Sequence, residues 1–148
     1  MRKKITEGTV LFISIIKWVA LATGIGAIVG LSTTVFLKLL NWATGYSSQY
    51  PYYFLLLPAA LFLTVIIIKY LAPDAEGHGT EKVIEAVHKH SGKIKPMVVP
   101  IKIVATLLTL SIGGSAGKEG PCAQIGAGIS SFFSDLLRFD DDDRKKLV

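Results

Sequence analysis

Charge is scarce in this chain. Only 18% of its 148 residues are Asp, Glu, Lys or Arg, against about a quarter in ordinary soluble domains. Cysteine is nearly absent, and Cys122 alone excludes a disulfide scaffold. Intrinsic disorder needs low hydrophobicity and high net charge. Here 51% of residues are hydrophobic and the mean hydropathy is +0.50. The length suits one domain. The formal net charge is +5, which fits nucleic acid or anionic lipid as a partner until the charges are placed.

Two long stretches hold no charge at all, Trp18 to Leu37 and Asn41 to Ile68. Twenty helical residues are about 30 Å long, the thickness of a bilayer core. Soluble helices of this length carry a polar face, so we read membrane spans near residues 10–43 and 51–71 rather than buried helices of a soluble core. Arg2-Lys3-Lys4 resembles the opening of a signal peptide, but the apolar stretch continues far past a signal's short core. The Tyr46–Tyr53 aromatics suit a membrane interface.

The basic residues predict orientation. Arg2, Lys3 and Lys4 precede the first span, and residues 41–50 hold no Lys or Arg. Residues 69–102 hold Lys69, Lys82, Lys89, Lys93, Lys95 and Lys102. The positive-inside rule then expects the amino terminus and 69–102 in the cytoplasm. Topology accounts for the basic balance, and no nucleic-acid partner is required. A short cytoplasmic helix is expected over 80–91. Its His88 and His90 splay apart at i,i+2, so no metal site is expected.

From Ile103 to Ser134 the only charges are Lys118 and Glu119, which divide two uncharged halves of about 15 residues. Each half makes about 22 Å of helix, too short to cross comfortably. Between them lies Gly113-Gly114-Ser115-Ala116-Gly117-Lys118-Glu119-Gly120-Pro121, a poor helix interior. We expect a broken re-entrant pair over 97–114 and 119–137. Irregular backbone at membrane depth is tolerated only inside protein or against a water-filled cavity. Half-helix amino termini at such breaks present positive ends to anions. With Pro121 in the first turn, Cys122, Ala123 and Gln124 are expected to offer free N–H groups. Glu119 stands at the mouth, and a carboxylate at that depth is a functional residue by default. Ionised, it competes with a free anion for the helix end; protonated, it releases the site. The competing reading is a Lys118–Glu119 pair at a turn between short spans. A nucleotide loop is excluded, because G-x-x-x-x-G-K-[ST] is one residue longer and needs a hydroxyl where Glu119 stands.

Gly117-Lys118-Glu119-Gly120-Pro121, followed by Gln124-Ile125-Gly126, resembles the G-[KR]-E-G-P…Q-I-G signature of the CLC chloride channels and proton-coupled chloride antiporters. Upstream, Gly77-His78-Gly79-Thr80-Glu81 falls where that family carries G-S-G-I-P. The resemblance spans about residues 15–148. It implies an all-α, polytopic membrane protein, part of an inverted-repeat bundle of tilted and broken helices, working as a homodimer in the cell membrane. It makes Glu119 the gate. It places anion-binding groups at Gly117, Lys118, Gly120, Pro121 and Cys122, and in the loop of Gly77, His78, Gly79 and Thr80. His78 replaces the serine whose hydroxyl serves the family's central anion, which leaves the preferred anion open. Family members are considerably longer, so the 148 residues are expected to be an amino-terminal portion. The run Asp140–Asp143 followed by Arg144-Lys145-Lys146 reads as a polar loop opening another helix.

The expected function is transmembrane transport of chloride or a similar small anion, by channel or proton-coupled antiport, with no cofactor. No nucleophile–base pair is readable, so no enzyme chemistry is expected. The alternative is a membrane-embedded structural or assembly subunit whose broken helix only packs against partners.

Overall fold

The computed structural model describes the backbone of residues 2–148 and the side chains from Phe12 onward. The Arg2-Lys3-Lys4 side chains therefore lie outside the described residues. Among those described there are helices and turns and no strand.

Helix α1 runs from Arg2 to Ser47. Its apolar part, Phe12–Ser47, is 36 residues long, about 54 Å of helix. A ~30 Å hydrocarbon core accommodates that length only by tilt or by projecting ends. A 3₁₀ turn, Tyr53–Leu56, leads into α2, Leu57–Leu71, which carries Pro58 in its first turn where no N–H is needed. Both apolar stretches are uncovered. The most hydrophobic windows of α1 and α2 are 6% and 11% buried, whereas the core helix of a soluble protein is mostly buried. Ile13, Val19, Leu31, Phe62 and Val65 all stand exposed.

After α2 the chain turns at Pro73–Ala75 into the short helix α3, Gly79–Lys89. Helix α4 spans Val98–Ser111, α5 Glu119–Leu136 and α6 Asp141–Leu147. The end of α4 shows why the glycine run breaks the helix. Gly113 takes φ +94°, and the Gly114 N–H donates back to the Thr109 carbonyl at 2.9 Å. That is a Schellman closure, and it favours glycine at the left-handed position.

Two apolar clusters hold the helices together. Phe36 and Leu40 of α1 meet Ile125 of α5, with Leu107 and Leu110 of α4 against them. Ala72, Ala75, Ala86, Val98, Ile101 and Ala127 join the α2–α3 turn to α3, α4 and α5. Fully burying a Phe or Ile side chain contributes about 1.5–3 kcal/mol each. The glycines of α1 take no part in this packing. A Cβ added at Gly24, Gly26 or Gly30 meets nothing within 4 Å, and the close approaches fall on α5 instead. A Cβ at Gly126 would lie 3.1 Å from Val29 Cγ1, and one at Gly128 2.5 Å from Val99 Cγ2.

Along α3, Glu85 accepts from Lys82 and Lys89, both at 3.1 Å. Those two hydrogen bonds, Lys82 first, hold its carboxyl below the ordinary 4.5. A depressed folded-state value stabilises above the unfolded one and is lost as pH falls through the folded one. Acidification below the ordinary carboxylate range should therefore speed amide exchange along 79–89. Glu85→Gln should remove that acid dependence, and an unchanged profile would show that the pairs hold nothing.

Candidate anion site

The loop before α3 is shaped by backbone and side chains together. Gly77 adopts φ +78°, which suits glycine. His78 is the residue before the helix, in extended conformation, and its side chain does not cap it. The first N–H used inside α3 is that of Lys82, donating to the His78 carbonyl at 3.1 Å. The amides of Gly79, Thr80 and Glu81 therefore have no intrahelical acceptor, as at any helix start.

Helix α5 begins at Glu119, with Lys118 before it and again no side-chain cap. This start is the one the sequence expected; what differs is which donors stay free. The Cys122 N–H donates to the Lys118 carbonyl at 3.1 Å, so it is not free. Pro121 stands third in the helix, within its first turn as expected, and the unused donors are those of Glu119 and Gly120 rather than Cys122, Ala123 and Gln124. The physical reason is that proline takes the third position, so the next N–H is already the first to find an intrahelical acceptor.

The starts of α3 and α5 meet backbone against backbone. A Cβ on Gly79 would collide with the Gly120 carbonyl oxygen. One on Gly120 would sit 3.3 Å from the Gly79 nitrogen and 4.0 Å from His78 Nδ1. Glycine at 79 is a packing requirement here, since no side chain fits between the two turns.

A cavity of about 700 Å³ lies at this junction. It collects Gly77, His78, Gly79, Thr80, Gly117, Glu119, Gly120 and Pro121 from the two loops. Lys118 is exposed and does not line it, and Cys122 sits behind it against Phe36, Leu40 and Ile125. Glu119 is exposed at the mouth. A Cβ at Gly117 would lie 2.7 Å from Glu119 Oε2, so the missing side chain at 117 leaves room for the carboxylate. Among the described residues Glu119 has no hydrogen-bond or ion-pair partner, and no Lys118–Glu119 pair forms.

Sequence reasoning missed the far wall of the cavity. Lys102 had been counted among the loop charges that set orientation. It lies inside α4, only 7% exposed, and lines the cavity. Its Nζ donates to the carbonyls of Ala75 and Gly77, each at 2.9 Å. Among the described residues it has no carboxylate partner. An ammonium has three N–H groups, so one donor remains. A buried unpaired charge is costly without a counter-ion. The signal was available: one lysine within an otherwise uncharged helix. Thr64, Thr106, Thr109 and Ser115 add hydroxyls, with the Thr64 and Thr109 oxygens 3.4 Å apart.

Helical structure with two uncovered apolar stretches and a polar cavity at two facing helix starts defines an all-α membrane fold. Residues 59–148 match the family described as voltage gated chloride channel. The chain is 30% identical over 137 residues to an uncharacterized protein of Methanocaldococcus jannaschii, covering 93% of this chain and 32% of that protein. It is 25% identical over 134 residues to the chloride/fluoride channel protein of Pseudomonas syringae pv. tomato, covering 90% and 29%. It is 28% identical over 134 residues to the H(+)/Cl(-) exchange transporter ClcA of Klebsiella pneumoniae, covering 80% and 28%. No solved structure matches. This chain belongs to the voltage gated chloride channel family, CLC, and is a membrane protein. It spans about a third of the length of these relatives.

Proposed function

We propose that the full protein moves chloride or a similar small inorganic anion across a membrane, along a pathway through the 700 Å³ cavity, gated by Glu119. One observation carries this reading. Two helix amino termini, with unused backbone donors, meet at a cavity whose wall holds a buried, unpaired ammonium. Each helix end favours negative charge by about 0.3–1 kcal/mol at an exposed site, and by up to about 2 kcal/mol in a partly buried one. A structural subunit has no use for that concentration of positive potential. Relatives named as a chloride/fluoride channel and as an H(+)/Cl(-) exchange transporter support an anion as cargo. The names of those relatives cover both a channel and an exchanger, and a carboxylate gate at Glu119 serves either. Residence in the cell membrane, a cytoplasmic amino terminus and a homodimer complete the proposal.

The full-length protein reconstituted into chloride-loaded liposomes should release chloride. Absence of flux for chloride, fluoride and nitrate alike would overturn the reading. Gly79→Ala should abolish the flux, because the new methyl forces the two helix starts apart. Gly120→Ala should slow it only a few-fold, since its methyl meets Gly79 at 3.3 Å and needs only a small adjustment. Equal behaviour of the two variants would contradict the proposed backbone contact.

A further inference from the structure

The segment from Asp74 to Gly77 leads into the α3 tip, and side chains of other helices help to hold it. Its own backbone makes two turn bonds, Ala75 N–H to the Ala72 carbonyl and Glu76 N–H to the Pro73 carbonyl. Three of its carbonyls are taken by side chains of two other helices. Lys102 of α4 takes those of Ala75 and Gly77. Gln124 of α5 donates its Nε2 to that of Asp74 at 3.0 Å.

Gln124 is 2% exposed, and its Oε1 has no hydrogen-bond partner among the described residues. A half-satisfied buried amide is less favourable than an apolar side chain of the same shape. Unsatisfied groups of this kind call for a reason beyond stability. Position supplies one. The Gln124 Cβ lies 3.2 Å from where a Gly79 Cβ would stand, so the residue borders the α3 tip. It also lines a second cavity of about 430 Å³, with Asp74 and Ala86.

We propose that Gln124 and Lys102 clamp residues 74–77, and that Gln124 is a positioning residue for the anion site. It touches no anion. It sets the direction in which the free amides of Gly79 and Thr80 point. Hydrogen bonds from those amides work over a few tenths of an ångström, so a loosened segment changes which anion fits. This inference rests on the transport reading, and the test separates the two.

The substitutions are Gln124→Met, which keeps volume and loses the bond, and Gln124→Asn, which keeps the amide and withdraws its reach. Both are made in the full-length protein. Amide exchange over 74–82 should speed, and the chloride-to-nitrate flux ratio should shift, each by about fivefold for one lost hydrogen bond. Ser131→Ala serves as the gauge of mere destabilisation. It removes the bond that Ser131 Oγ accepts from the Ile94 N–H at 2.9 Å, lower on α5, and should leave the ratio unchanged. Unchanged exchange over 74–82 in both Gln124 variants overturns the clamp whether or not anions move. Faster exchange with an unchanged ratio overturns the positioning role. Faster exchange in a protein that never carries anions leaves the clamp standing and removes the transport reading.

Discussion

Glu119→Gln in the full-length protein should flatten the acid dependence of anion flux. The amide has the shape of the carboxylate without its charge. In the wild-type protein the ionised side chain stands at the mouth of the cavity, at the start of α5 and near that of α3. On the proposed reading it competes there with the transported anion for the same positive potential. Protonation removes the competitor, so flux should rise as pH falls. The glutamine variant resembles the protonated state at every pH. Removing a competing charge at a helix end is worth about 0.3–1 kcal/mol where exposed and up to about 2 kcal/mol where partly buried, so anion affinity near neutrality should rise by about twofold to at most about thirtyfold. If the full protein couples protons to anions, the coupling should vanish as well. Radiolabelled chloride efflux from liposomes across a pH series reads both effects. A variant with wild-type flux and wild-type pH dependence would remove Glu119 as the gate.

Lys102→Met should weaken anion binding about a hundredfold while costing the fold no more than about 1–3 kcal/mol. Losing the bonds to Ala75 and Gly77 leaves the buried Ala75 carbonyl unpaired, at about 1–3 kcal/mol. Methionine fills the same space and removes the desolvation cost of the ammonium, which offsets part of that loss. The proposed anion loses a favourable charge. A unit charge placed at about 6 Å would contribute about 3 kcal/mol at an effective dielectric constant of about 20, roughly a hundredfold in affinity. Calorimetric titration of the purified full-length protein with chloride measures the effect, and a thermal melt measures stability. An unchanged affinity would mean that the ammonium only ties down the segment before α3.

Most helix boundaries were legible because the local signals were strong. The uncharged runs, the glycine closure at Gly113 and the charge-ordered α6 each belong to a single segment. The start of α5 was legible too, but its free donors were expected after Pro121 rather than before it. A proline's missing N–H suits any position in the first turn, so it did not specify which amides stay unused. Lys102 was misassigned for a related reason. Counting charges along the chain cannot distinguish a lysine at the cytoplasmic edge from one turned inward within α4.

Residue chemistry along the chain decided that the protein is helical and membrane-embedded, and it singled out Glu119 and the two glycine loops. Those features depend on composition and near-neighbour spacing, which a linear sequence carries in full. Tertiary structure alone decided that Gly79 meets Gly120, that Lys102 closes the cavity and that Gln124 holds the segment between them. Each of those joins residues 25 to 50 positions apart, and only packing of the helices brings such partners within reach.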